Sequence, residues 1–339
     1  MKIEDPACCG SGCTNCVLDV KPSKHALPAD VTNVFDRTYK TFVCEAITQA
    51  TTNVFLFRFR YVPSAVVIDR ERLIVPPGCH LMLRTLRTYN SASIGNHLFE
   101  AWREESSIVA IDSSSVGIVK KAIEKHDKAE DDLYFSRPYT PIAFDPEQGT
   151  FDVLIKLEPG GLMSNYLATL TVGCHTEWKG VYGDFLWQRN QHRTVVAFVQ
   201  GVAIAPVYST LRAILDDDED ETRLMLCACF RDLPNVLLRD DLHALASYWN
   251  FKYAIYLSRR SCACHENLEN CTCNAKYHLR YNEPIYDRRL EAEDIERLLG
   301  RALSDGKQSL LVLLCGTVPF TAFIKTSLAK MEIENCYTF

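Results

Sequence analysis

Four consecutive residues, Arg137-Pro138-Tyr139-Thr140 in the run SRPYTPIAF, carry side chains that together suit a flat, phosphorylated ligand. A guanidinium fork pairs with phosphate oxygens through two parallel hydrogen bonds, a phenol ring lies along a heterocycle, and a neighbouring hydroxyl reaches a ring nitrogen. An exposed arginine beside a packed tyrosine would read the same way, so the neighbouring blocks matter. Further along, EPGGLMSNYL sets Gly160 and Gly161 ahead of Ser164 at the mouth of a helix, where small residues and free N–H groups make an anion site. A third stretch, Phe198 to Leu215 (FVQGVAIAPVYSTLRAIL), reads as a buried strand, a tight turn at Gly201 and a helix opening at Pro206. Such a turn cradles a pyrophosphate when glycines let backbone N–H groups approach it. Val202 and Ala203 stand where more room would be wanted. LLCGTVPF and the final ENCYTF complete the set.

The elements around these blocks fall into two textures. From Tyr39, TFVCEAIT and NVFLFRFRYV alternate around a polar turn, and RLIVPPGCHLMLR and FDVLIKLE add further strands. With SRPYTPIAF placed just before barrel strands, and MSNYLATL at helical spacing, they predict a small antiparallel β-barrel with one helix. After QRNQHR the runs become continuously apolar and alternate with helices: TVVAFVQG, RLMLCACF, RDDLHALASYW, FKYAIYLS, EAEDIERLLGRAL, SLLVLLCG and FTAFIKTSLAK. That order predicts an α/β domain with a doubly wound parallel sheet. The expected division is a Cys-rich segment at 1–32, a barrel domain at 33–190 with an insertion at about 85–133, and an α/β domain at 191–339 with a Cys-rich insertion at about 259–280.

Bulk composition narrows the class. With 47% hydrophobic and 24% charged residues the 339-residue chain is globular, and a net charge of −6 argues against a nucleic-acid partner. No uncharged apolar run approaches the ~20 residues of a membrane span, and the start MKIEDPACCG lacks a signal core, so a cytoplasmic protein is expected. Fifteen cysteines are many for that compartment. Cys8, Cys9, Cys13 and Cys16 share one short loop whose C-x-x-C bite suits zinc or an iron–sulfur cluster, while a tail of reduced thiols fits equally. Cys262, Cys264, His265, Cys271 and Cys273 form a second cluster, read either as a soft-metal site or as an inserted loop of free thiols.

Taken in chain order, these blocks resemble the ferredoxin-NADP reductase superfamily, whose pattern runs R-x-Y-[ST], G-x-M-S, G-x-x-G-x-F, G-[ST]-G-x-x-P, C-G and a terminal aromatic. Within it they are similar to the cytochrome b5 reductase-like flavoproteins, over about residues 37 to 339. The N-terminal cysteines resemble an oxidoreductase-like motif that precedes some of these proteins. The resemblance implies FAD on the barrel. Arg137 and Ser164 would hold its pyrophosphate with the backbone of Gly161, Leu162 and Met163, and Pro138 would belong to the same run. Tyr139 would lie along the flavin, with Thr140 near N5 and Lys156 beside both rings. Cys315 and Gly316 would stand near the nicotinamide, and Phe339 beside the ring system. Thr140 and Cys315 are thereby the implied catalytic pair. Hydride would pass from NADH or NADPH to flavin, then electrons singly to cytochrome b5 or another small haem protein.

The chain also departs from the family. Where the family turn reads A-G-G-T-G-[IL]-[AT]-P, this chain has Val199 to Pro206 as VQGVAIAP, and Cys-Gly-Pro becomes Cys315-Gly316-Thr317. Gly201 and Pro206 keep the anion-binding frame, but loss of a hydroxyl at Val202 and an added methyl at Ala203 put dinucleotide binding in question. Ser258-Arg259-Arg260 replaces the aspartate of NADH-preferring members. It reads either as a 2′-phosphate site, which favours NADPH, or as a solvated loop entrance. Two other readings stand beside the reductase: a relative with impaired nucleotide use serving interaction or assembly, and a metal- or thiol-binding protein acting through its cysteine clusters.

Overall fold

The computed structural model describes residues 31–63, 71–87, 134–259, 279–303 and 306–339. The N-terminal cysteines, most of the 85–133 insertion and the second cysteine cluster lie outside the described residues.

Strands β1 (Thr32–Asn33), β2 (Lys40–Gln49), β3 (Val54–Tyr61), β4 (Glu71–Arg72), β5 (His80–Leu86), β6 (Tyr134–Tyr139), β7 (Pro141–Asp145) and β8 (Thr150–Lys156) come first. Helix α1 (Leu162–Leu167) and strand β9 (His175–Tyr182) complete the first unit. Among the described residues these strands, β1 and β4 aside, form a seven-stranded antiparallel sheet in the order β6-β5-β9-β2-β3-β8-β7. Period-two alternation explains it. Phe42, Phe57, Phe59, Phe151 and Trp178 all point to one face and are fully buried there.

The sheet's two end strands, β6 and β7, are consecutive in the chain and separated by Thr140 alone. A sheet whose first and last strands are joined by one residue must curl until its edges meet, and Thr140 marks that seam. Expected just before the barrel strands, Arg137, Pro138 and Tyr139 instead lie on strand β6, with Pro138 opposite Met82. An edge strand tolerates this proline because its missing N–H leaves no ladder bond unmade.

The second unit is β10 (Thr194–Gln200), α2 (Ile204–Leu215), β11 (Arg223–Phe230), α3 (Arg239–Leu245), β12 (Phe251–Leu257), β13 (Ile285–Tyr286), α4 (Ala292–Ala302), β14 (Leu310–Cys315), α5 (Val318–Lys330) and β15 (Cys336–Thr338). Its parallel sheet runs β13-β12-β11-β10-β14-β15, and β10 and β14, at the centre, are apolar and buried almost throughout.

Two expectations shift here. The helix after the Gly201 turn opens at Ile204, behind a 3-10 turn of Gly201–Ala203, rather than at Pro206. Pro206 therefore sits in the first helical turn, where an N–H has no intrahelical partner to lose. Helix α3 ends at Leu245 instead of continuing to Trp249. The amides of Ser247 and Tyr248 bond three residues back, which tightens the chain toward buried Asn250 and the start of β12.

Contacts between the units are specific. The Gly78 amide donates to Ser209 Oγ on α2 (3.0 Å), and the Tyr337 hydroxyl donates to Asp184 (2.5 Å). The Phe339 ring packs on Phe185 (5.1 Å between centroids) and lies so close over Gly78 that a Cβ there would be 2.5 Å from it.

Candidate functional site

At the barrel seam, Arg137 donates to the Ser136 carbonyl (2.7 Å) and its guanidinium lies 5.7 Å from the Phe135 ring. It makes no ion pair among the described residues. Tyr139 is half-buried, its ring set edge-on to Trp178 at 6.0 Å, and desolvation pushes its phenol above the usual range. The tyrosine is held from behind by a fully buried indole whose Nε1 donates to Thr176 Oγ1 (2.9 Å).

His80, which the sequence reading did not single out, belongs to the same neighbourhood. It lies one register step beyond the Leu81–Tyr139 pair, level with Thr140, and stacks on Tyr182 at 6.0 Å. Its Nε2 is buried with no hydrogen-bond partner among the described residues. Burial pushes the imidazole down from 6.5 to about 4. A buried nitrogen with no partner among the described residues is where a polar ligand group could be accepted.

His80 also predicts a pH dependence. The unfolded chain takes up its proton near pH 6.5 while the folded one resists until about 4, so stability is full above that window and falls as pH drops through it. The loss should reach about 3 kcal/mol at the acid end. Denaturant midpoints measured between pH 7 and 4 should show it, and His80→Gln should flatten the slope. An unchanged slope would contradict it.

The second anion element is the turn before α1. The Gly161 amide donates to the Glu158 carbonyl (3.1 Å), and Ser164 Oγ accepts the Glu158 amide (2.9 Å). Met163 is buried in the barrel core and Leu162 is exposed, so the backbone and Ser164 are what this turn can offer. Lys156 ends β8 and pairs with Glu158. Phe339 anchors its amide on the Leu314 carbonyl (3.0 Å), and thus joins Gly78 of the barrel unit to the end of β14.

The α/β sheet carries a crevice of ≈ 590 Å³ at the carboxyl ends of its strands; Gly201 and Ser258 line it, while Pro206, Cys315 and Gly316 do not. Chain order reverses between β10 and β14, and open α/β sheets bind ligands at that switch point. Gln200, Gly201, Thr317 and Phe320 line one end; Arg231, Ser258 and Arg289 line the other. Gly201 has φ +59°, which explains the residue type, and nothing lies within 4 Å of where its Cβ would be. Val202 and Ala203 pack against the core of the α/β unit. Cys315 ends β14 opposite Val199, and burial pushes its thiol up to about 12, so it holds its proton at neutral pH.

Ser258 lines the crevice and Arg259 does not; the guanidinium groups there are Arg231, paired with Asp232 (2.9 Å), and exposed Arg289. Neither arginine was singled out from the sequence, because each comes from a strand end or loop distant from Ser258. Among the described residues no group of three His, Cys, Asp or Glu side chains could hold a metal ion, and no helix is long and apolar enough to cross a membrane.

Comparison with known proteins accords with this geometry. A family model described as an oxidoreductase FAD-binding domain matches residues 122–187, and one described as an oxidoreductase NAD-binding domain matches residues 199–326. A human protein named NADH-cytochrome b5 reductase-like is 27% identical over 275 residues, covering 75% of this chain and 71% of its own length. The fold is shared with the cytochrome b5 reductase domain of Ulva prolifera nitrate reductase, with a TM-score of 0.62 at 21% identity, over 91% of this chain and all of that one. It is shared too with a ferredoxin NADP+ reductase from Neisseria gonorrhoeae with bound FAD and NADP, with a TM-score of 0.56 at 13% identity, over 90% and 99% of the two chains. The chain thus carries a segment matching an oxidoreductase FAD-binding domain followed by one matching an oxidoreductase NAD-binding domain, and it is similar in sequence to proteins named NADH-cytochrome b5 reductase-like.

Proposed function

We propose that this protein is a FAD-dependent NAD(P)H oxidoreductase that delivers electrons one at a time to a small haem protein such as cytochrome b5. The observation that carries the reading is the pairing of an uncommitted Arg137 and a braced Tyr139 at the barrel seam with a switch-point crevice in the adjoining sheet, tied together through Phe339. When bound, the flavin supplies the conversion of a two-electron hydride into single electrons.

The chain's own residues do the rest. Arg137, with Ser164 and the Gly161–Met163 backbone, binds the pyrophosphate, and Tyr139 and Thr140 orient the ring system at the seam. Buried His80 stays neutral there and offers a polar nitrogen without adding charge. Cys315, protonated at neutral pH, is buried at the end of β14 and packs in the core behind the nicotinamide end. Phe339 excludes water where the two units meet. Arg231 and Arg289, with Ser258, face the adenosine end, and guanidinium groups there favour a 2′-phosphate.

The deciding experiment is to purify the protein, record its flavin spectrum, and mix it anaerobically with NADH or NADPH before adding cytochrome b5. Bleaching by both dinucleotides, with NADPH at least as fast as NADH, and subsequent haem reduction are expected. A protein without flavin contradicts the reading. Flavin that neither dinucleotide reduces favours the second reading, a relative serving interaction or assembly, for which the observation is the side chain lying across the switch-point crevice.

A further inference from the structure

The two strands that flank the switch point are bridged at their ends by the protein itself. Strand β10 finishes at Gln200, and Thr317 follows β14 by two residues. Gln200 Oε1 accepts from Thr317 Oγ1 at 2.7 Å and from the Thr317 amide at 3.3 Å. The glutamine side chain therefore ties the ends of the two neighbouring strands together at one end of the crevice. Beneath it, Gly316 is enclosed: a Cβ there would lie 3.1 Å from Gln200 Cβ and 2.6 Å from the Phe320 ring. The space above this glycine is filled by the chain's own side chains.

Thr317 adds an independent sign. It occupies the N-cap of α5, where a threonine hydroxyl ordinarily accepts an N–H from the first helical turn, yet it makes no such bond. Its hydroxyl is directed to Gln200 instead. The bridge touches one end of the crevice only, since Arg231, Ser258 and Arg289 lie at the other. An adenylate can thus enter its end while the bridge is in place, whereas a whole dinucleotide must displace it.

We propose that Gln200 and Thr317 form a latch across the nicotinamide end of the crevice, and that the need to open it lowers the affinity of this protein for NADH and NADPH alike while leaving adenylate binding untouched. The inference rests on reading the crevice as the dinucleotide site. A closed state that must open before binding reduces apparent affinity by the fraction of molecules already open. Gln200 and Thr317 are positioning residues in this scheme. They act on which part of a ligand can seat and take no part in hydride transfer.

The test uses the full flavin-loaded chain and its variants Gln200→Ala and Thr317→Val, titrated with NADH, NADPH and 5′-AMP by flavin reduction and tryptophan fluorescence. Gln200→Ala removes both hydrogen bonds and should tighten both dinucleotides about tenfold, and Thr317→Val, which removes the shorter hydroxyl bond and keeps the amide one, about threefold, with the AMP affinity unchanged and KM falling more than kcat moves. Thr317 is exposed and Val preserves its shape, so this variant carries the test even where Gln200→Ala folds poorly. Unchanged dinucleotide affinity in both variants, with AMP still binding, overturns the latch and leaves the crevice reading standing. Equal tightening of AMP and dinucleotides shows general loosening and overturns it as well. If neither AMP nor dinucleotide binds wild type or variants, the latch and the crevice reading fall together.

Discussion

Arg137→Ala is expected to give a folded protein that no longer retains flavin. The side chain's only hydrogen bond among the described residues is to the Ser136 carbonyl, and its guanidinium lies loosely over Phe135, so the barrel loses little when it is removed. A proposed pyrophosphate partner loses much more. Hydrogen bonds to charged groups contribute about 1.5–3 kcal/mol each, so deletion of a two-bond fork should weaken FAD by at least ~10²-fold. Arg137→Lys keeps the charge without the fork and should recover only part of the affinity. The measurement is flavin stoichiometry by absorbance after gel filtration, with a melting curve in excess FAD to show that the fold survives. Full retention of flavin by the alanine variant would remove Arg137 from the site.

The second large effect should come from behind the site. Trp178 is fully buried, with Phe59 and Phe151 each at 5.0 Å and Tyr139 at 6.0 Å between ring centroids. Trp178→Ala opens a cavity where three aromatic rings meet, and truncations of this kind cost about 3–5 kcal/mol. It also deprives the Thr176 hydroxyl of its indole partner. Urea unfolding should show a lower midpoint at unchanged slope, and Trp178→Phe should restore most of the packing but not the hydrogen bond. A loss below about 1 kcal/mol would mean that the core relaxes around the gap and that Tyr139 does not depend on it.

Local chemistry made much of this protein legible before its coordinates. The apolar runs from Thr194 and Leu310 read as strands because both their faces are buried, and Arg137, Tyr139 and Ser164 read as ligand groups because their types and order are distinctive. What stayed hidden depended on distance in the chain. Arg231 and Arg289 reach the crevice from separate connections, and no spacing rule joins them to Ser258. Gln200 read as an unremarked polar residue before a glycine; only the parallel pairing of β10 with β14 brings Thr317 within its reach. Val202 and Ala203, where the turn departs from the family pattern, are partly buried and pack against the core. Helix α3 was read too long because Ser247 and Tyr248 are acceptable helix residues, while the need to turn into β12 is a tertiary demand.

The seam at Thr140 bears on how the protein survives in a cell. Among the described residues no ladder joins the two sheet edges at this seam, and unpaired edge groups of this kind can template pairing with another chain. A ligand held at that seam adds its binding free energy to folding, about 2.7 kcal/mol when present at a hundred times its dissociation constant. Under the proposed function, FAD bound there would act as a fastener as well as an electron carrier. Cells short of flavin precursor would lose this protein to aggregation and turnover before they lost its chemistry, and its abundance would follow the vitamin supply.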